Sequence, residues 1–278
     1  MTTTVEPHVI EGYEEYDDGD WIIDREEGVL HVTLHRPQSL NATSYKSHTK
    51  LTALWPKVQA DPKTRVVLVT GHGRAFCAGA DLKEARKRDL SHSEMLDLLR
   101  EGSAMVMGMV NLDKPIVSAI NGPAVGSGAA LALVADISIA ADDAKIFDGH
   151  TTVGVVSGDH SVLNWPILCG MAKAKYYLLL NEPLTGKEAA DIGLVSMSVP
   201  ADQLMEKATE ISRRLAKMSQ EAIRGTKQVL NHWYRAAQPA FEHSMTLEML
   251  GYYSDDIKEG RRAFEEKRPA VWPSAQDK

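Results

Sequence analysis

The stretch KPIVSAINGPAVGSGAALALVADISIAADDAKI, residues 114–146, carries no charged side chain from Pro115 to Ala135, a run of 21 residues. That is about the length of a membrane span. Its composition points elsewhere. Ala, Gly and Ser dominate rather than Leu and Phe, Asn121 and Pro123 fall inside the run, and it ends at Asp136. A buried α/β core fits better. PIVSAI has the length and apolarity of a strand covered on both faces, NGPAVGSG is a turn, AALALVA begins a helix, and ISIAADDAKIF reads as strand, turn and strand. Strands of this kind alternating with helices imply largely parallel pairing in a layered α/β fold.

The same order occurs about 50 residues earlier, where RVVLVTG (65–71) is a short apolar strand and GRAFCAGADLKEARKRD (73–89) turns into a helix. Before that, SYKSHTKLTALWPKVQAD (44–61) reads as a helix ended by Pro62, and WIIDREEGVLHVTLHRP (21–37) as two strands joined at Glu26–Gly28. Leu30, Val32 and Leu34 face one way; His31, Thr33 and His35 face the other. The His31/His35 spacing would suit a metal on a helix, but the alternation makes them exposed histidines on an outer strand face. Beyond Ala201 the period changes, with Leu204, Ala208, Ile211, Leu215 and Met218 at helical spacing. The chain thus divides into an acidic N-terminal extension (1–19), an α/β core (20–200) and a C-terminal helical region (201–278).

The 278 residues suit one large domain with a helical appendage. A net charge of −7 and a pI near 5.8 argue against a nucleic acid or an anionic membrane as main partner. Cys77 and Cys169 cannot build a disulfide framework, which points to the cytoplasm, and both read as small buried apolar side chains. The first 20 residues lack the basic start and apolar core of a secretory signal.

CAGAD (77–81) and GSGAA (126–130) each place small residues just before a helix. The first N–H groups of a helix lack intrahelical partners, and the helix dipole adds positive potential there. Two such turns at the ends of neighbouring strands could aim two N–H groups at one oxygen, an oxyanion hole worth roughly 3–4 kcal/mol per donor at a transition state.

GHGRAFCAGADLKE (71–84), the 114–146 stretch and PLTGKEAADIGLVSMSVP (183–200) closely resemble the crotonase, or enoyl-CoA hydratase/isomerase, superfamily. The resemblance covers roughly residues 20 to 270. It implies a spiral of ββα turns followed by a C-terminal helical trimerisation region, assembled as a homotrimer or a dimer of trimers. It also implies an acyl-CoA substrate whose thioester carbonyl sits between the backbone N–H groups of Ala80 and Ser127. Coenzyme A would enter as part of the substrate, with no permanently bound cofactor and no metal. The CoA would lie against Ala78, Asp81, Leu82, Lys83, Gly126 and Gly128, with Phe264 and Lys267 from the C-terminal segment over its mouth.

Hydratases of this family use two glutamates, and the aligned positions here hold Ala130 and His150. His150 opens GHTTVGVVSGDH (149–160), which reads as a turn, a short buried strand and a second turn, with Asp159 nine residues beyond His150. A neutral imidazole suits water activation, and Asp159 could accept its other ring N–H. The FDGH…SGDH…WP spacing resembles the carbon–carbon bond hydrolase branch, the 6-oxocamphor hydrolase type, which pairs a histidine with an aspartate at this separation. His160 is an outside candidate for a second proton donor, and His48 resembles a histidine of that branch. The readings left open are hydration or isomerisation of an enoyl-CoA, hydrolytic cleavage of a β-oxoacyl-CoA by a His150/Asp159-activated water, and a non-catalytic CoA-binding scaffold.

Overall fold

A computed structural model describes residues 6–81, 84 and 90–276. Strands β1 (Trp21–Glu26) and β2 (Val29–Leu34) pair antiparallel, with Trp21 opposite Leu34 and Glu26 opposite Val29. Glu27 and Gly28, both at positive φ, make the two-residue turn that such a hairpin requires. From β2 onward the pairing is parallel through β3 (Val66–Gly71), β4 (Ile116–Ile120), β6 (Ile137–Ala141) and β9 (Met197–Val199), in the order β1-β2-β3-β4-β6-β9. Every residue of β3 and β4 is buried, as a parallel sheet covered on both faces demands.

A second, smaller sheet has the order β5-β7-β8, from Ala124–Val125, Lys145–Phe147 and Leu184–Thr185. Single parallel bridges from Cys77 to Ala124 and from Thr43 to Ala80 continue this stacking. Successive chain segments thus add one strand to the large sheet and one short strand or bridge to the small one. This is the expected α/β spiral. Around it lie α1 (Tyr45–Ala60), α2 (His92–Asn111), α3 (Ser127–Leu133), α4 (Ser161–Cys169), α5 (Met171–Leu180) and α6 (Gly186–Asp191). Helix α1 begins at a capping box made by Ser44 and Ser47, and α2 at one made by Ser91 and Glu94.

The C-terminal region is helical, as its periodicity indicates: α7 (Leu204–Lys217), α8 (Gln220–Leu230), α9 (His232–Gly251) and α10 (Asp255–Glu266). Helix α7 crosses β2, β3, β4 and β6, whereas α9 packs on α2 and α4. A buried ion pair ties α8 to the sheet. Lys227 Nζ lies 2.8 Å from Asp136 and donates to the Lys114 carbonyl at 2.9 Å, while Asp136 accepts from the Ile116 N–H.

Several local expectations change. Residues 149–160 hold no strand; a single 3-10 turn (Thr151–Val153) sits between Gly149 and Gly154, both at positive φ. The adjoining strand β7 already has β5 on one edge and β8 on the other, so this segment has no free edge to join. His31 is half-buried on the side of α7, and burial pushes its imidazole pKa down. His35 bonds the Gly19 carbonyl and packs on the His72 ring. The acidic 1–19 segment contributes Tyr13 and Tyr16 to the core.

Candidate active site

The two glycine turns are locked to each other. The Cys77 N–H donates to the Pro123 carbonyl and the Val125 N–H to the Cys77 carbonyl, each at 3.0 Å. Gly128 stands so close to this crossing that a Cβ on it would lie 2.2 Å from the Cys77 oxygen. Only glycine permits that approach. Thr43 then joins both turns: its N–H donates to the Gly79 carbonyl at 2.7 Å, and its hydroxyl lies 3.1 Å from the Ser127 hydroxyl. Ser127 is the first residue of α3, whose N-terminus has no side-chain cap. Ala80 and Ser127 line a single cavity of about 460 Å³, together with Asp81, Gly126, His150 and Asp159.

His150 is held from both sides. Its Nδ1–H donates to Asp148 at 3.0 Å, and its Nε2 lies 3.7 Å from Asp159 and 3.6 Å from Glu248. Burial alone would lower the imidazole pKa, but the surrounding carboxylates Asp159, Asp148 and Glu248 outweigh it and raise it well above the ordinary histidine range. The imidazolium is therefore the resting form, not the neutral ring that the sequence suggests. The carboxylate that fixes the ring is also different: it is Asp148, with Asp159 on the Nε2 side facing the cavity. Asp148 is fully buried and accepts from the hydroxyls of Ser157 and Ser161. Burial would raise its pKa, but His150 and these donors hold it far below the usual carboxylate range.

Asp159 is positioned from behind by His160, whose Nδ1–H donates to it at 2.6 Å. His160 is itself completely buried and does not line the cavity, so it orients Asp159 and is not placed to pass a proton to a ligand. Ligand atoms of Asp148, Asp159 and His160 fall within 4.8 Å of one another. They already serve each other and the two serines as hydrogen-bond partners, so the cluster is a network rather than a vacant coordination sphere. His48 does line the cavity, with Nδ1 3.4 Å from Glu101.

Other expected contacts fall elsewhere. The Ala78 N–H is taken by the Leu40 carbonyl, and Gly128 serves turn packing; neither lines the cavity. Leu82 and Lys83 lie outside the described residues. Phe264 and Lys267 are exposed at the end of α10, and the cavity is lined instead by Lys258 and Arg261 from earlier on that helix. Lys267 lies beyond the last residue of α10, as its left-handed C-cap. Ala130 is fully buried inside α3 and does not line the cavity.

Glu248 is the residue that sequence reasoning missed. It lies on α9 within the buried stripe of Phe241, Ser244, Met245 and Met249, and its side chain is 5% exposed. A glutamate on an apolar helix stripe is an anomaly readable in principle, because such a position normally holds a core residue. Its Oε1 lies 3.3 Å from the Tyr252 hydroxyl, and Oε2 has no hydrogen-bond partner among the described residues.

With this geometry in hand, similarity to known proteins is informative. The profile of the family described as enoyl-CoA hydratase/isomerase matches residues 24–275. The chain is 34% identical over 244 residues to a probable mitochondrial enoyl-CoA hydratase of Dictyostelium discoideum, covering 87% of this chain and 86% of the relative. It is 32% identical over 249 residues to the 1,2-epoxyphenylacetyl-CoA isomerase of Escherichia coli, covering 87% and 94%. The crystal structure of an enoyl-CoA hydratase/isomerase from Mycobacterium paratuberculosis superposes with a TM-score of 0.83 at 30% identity, covering 87% and 97%.

Proposed function

The chain belongs to the enoyl-CoA hydratase/isomerase family, and we propose that it acts on an acyl-CoA thioester by holding the enolate oxygen between the N–H groups of Ala80 and Ser127. One observation carries this reading: the two turns bearing those groups open into the same cavity as His150 and Asp159. Backbone donors fixed in this way need no reorganisation as negative charge develops on the thioester oxygen. His150 and Asp159 form the proton-handling pair. Once the imidazolium gives up its proton, Nε2 becomes a base within the cavity, kept in one tautomer by Asp148. Coenzyme A is the handle of the substrate, and the reaction as proposed calls on no resident cofactor or metal.

Hydration or isomerisation of an enoyl-CoA is the activity type named among the relatives. A second reading, hydrolytic carbon–carbon cleavage of a β-oxoacyl-CoA, is favoured by the burial of Ala130, because no carboxylate then reaches the cavity from α3. Water deprotonated by His150 would add to the β-carbonyl carbon. The Cα–Cβ bond would break with its electron pair passing into the thioester enolate, and that enolate would take up a proton at Cα. Both reactions use the same hole. A scaffold without catalysis is the remaining alternative, and it leaves a buried cluster of carboxyl groups around an imidazolium without a purpose.

A panel of enoyl-CoA and β-oxoacyl-CoA thioesters separates the three, because a scaffold binds without turnover and each reaction yields a different product. On the substrate so found, His150→Gln should lower turnover by about 10²–10⁴-fold while leaving thioester affinity nearly unchanged. Undiminished turnover would remove His150 from the chemistry.

We further place assembly, as a homotrimer or a dimer of trimers, on the region beyond residue 200. Phe241, Met245 and Met249 are buried within the chain itself, but Met218, Val229, Leu230, Trp233, Leu247 and Leu250 remain exposed. Among the described residues no helix is long and apolar enough to cross a membrane. Cys77 and Cys169 are both free thiols, which suits the reducing cytoplasm we assign.

A further inference from the structure

We propose that Glu248 is the acid that delivers a proton to the α-carbon of the thioester enolate. The inference rests on the acyl-CoA reading above and supplies what that reading lacks. An enolate must be protonated at Cα, and the position where hydratases of the family would place a glutamate is Ala130, buried away from the cavity. Glu248 enters the same cavity from a different wall, on α9.

Two properties of its surroundings suit an acid. The carboxyl is nearly fully buried and its Oε2 has no partner among the described residues, so an anion there would lose its hydration with little in return. Asp159 and Asp148 face it from the 148–160 segment, and like charges nearby favour the protonated form. Against these stand the Tyr252 hydroxyl, which donates to Oε1 at 3.3 Å from just beyond α9, and the cations Lys258 and Arg261 of α10, which line the same cavity and favour the carboxylate. Burial first, then the two aspartates, raise the Glu248 pKa well above the usual carboxylate range against the opposing pull of His150.

The proton cycle closes without an outside co-reactant. The enolate electron pair forms the Cα–H bond with the Glu248 proton, and the enolate oxygen returns to a thioester carbonyl. Glu248 is left as a carboxylate, with Oε1 3.6 Å from His150 Nε2. His150, having taken a proton from water, can return it there and reset both groups.

The test uses butyryl-CoA, a saturated thioester that can do nothing but exchange its α-protons, followed in D₂O by proton NMR. Wild-type protein should bind it and exchange the α-protons. Glu248→Gln should slow exchange by about 10²-fold or more with affinity and Tm retained. Glu248→Met, similar in volume, replaces the Gln variant if the latter does not fold. Exchange in the Glu248 variant at the wild-type rate would overturn the proposal, as would binding without exchange in the wild type. Failure of the wild type to bind butyryl-CoA would instead overturn the thioester reading on which the proposal stands.

Discussion

Asp148→Asn removes one charge from the site while preserving the shape of the side chain. The carboxylate receives the His150 ring N–H at 3.0 Å, the His150 backbone N–H at 3.2 Å, the Ser157 hydroxyl at 2.7 Å and the Ser161 hydroxyl. A hydrogen bond to a charged partner is worth about 1.5–3 kcal/mol net. One pKa unit corresponds to about 1.4 kcal/mol. The His150 ionisation should therefore fall by about one to two units, remaining above its wholly unassisted position because Asp159 still acts on it. The sign follows from which form is lost: without Asp148 the imidazolium is less stabilised and gives up its proton at lower pH. The rising limb of the pH–rate profile should move to lower pH by the same amount. Maximal turnover should nevertheless drop by about 10²–10⁴-fold, because an amide no longer enforces the productive tautomer.

Stability changes in the same variant and with a calculable sign. The depressed pKa of Asp148 gives stability that is complete above the ordinary carboxylate range and is lost as pH falls through the folded-state value. The raised pKa of His150 gives stability that is complete below the ordinary histidine range and is lost as pH rises through its folded-state value. Breaking so buried a pair costs about 3–5 kcal/mol at neutral pH. Titration of the His150 Cε1–H resonance, with urea unfolding at several pH values, reads both quantities. An unchanged or increased His150 pKa in Asp148→Asn would refute the assignment of Asp148 as the partner that holds the ring.

Two further outcomes check the framework around the site. Lys227→Met, by leaving Asp136 without its cation, should destabilise the protein by about 3–5 kcal/mol in denaturant unfolding, and Lys227→Met with Asp136→Leu should recover much of the loss; a cost below about 1 kcal/mol would mean the pair does not anchor α8. Light scattering at micromolar concentration should return three or six times the 30.5 kDa chain mass, and a monomer would contradict the assembly proposed for the exposed apolar helices.

Much of the fold was legible because its signals are local. PIVSAI and RVVLVTG are apolar without alternation, which marks strands covered on both faces, and Gly126 and Gly128 punctuate the chain where β5 passes into α3. Ala80, Ser127, His150 and Asp159 were named from sequence, and the fold brings all four to one cavity. What failed depended on neighbours that a linear reading does not contain. GHTTVGVVSGDH has the composition of a strand, yet β5 from before it and β8 from after it occupy both edges of β7. His31 is on the face opposite Val32 as expected, but α7, arriving some 170 residues later, covers it. The charge state of His150 could not be read because Glu248, one of the three carboxylates that set it, comes from a helix distant in sequence. Asp148 is local to the histidine, two residues before it, but it is Asp159 that has the spacing of the known pair.

The arrival of α9 as a wall of the cavity has a consequence for when the protein becomes active during its own synthesis. Both glycine turns have been synthesised by residue 133, and His150 and Asp159 follow by residue 160, so these four cavity-lining elements belong to the part of the chain made first. Glu248 is made 98 residues after His150. At a bacterial-to-eukaryotic elongation rate of about 5–20 residues per second, that gap lasts on the order of 5–20 seconds. During it Met245, Met249 and the buried carboxyl of α9 are still unmade. A chain stopped at residue 231, before α9 begins, lacks one wall of the cavity. The order of the residues along the chain thus withholds the finished reaction chamber until nearly the last helix has been translated.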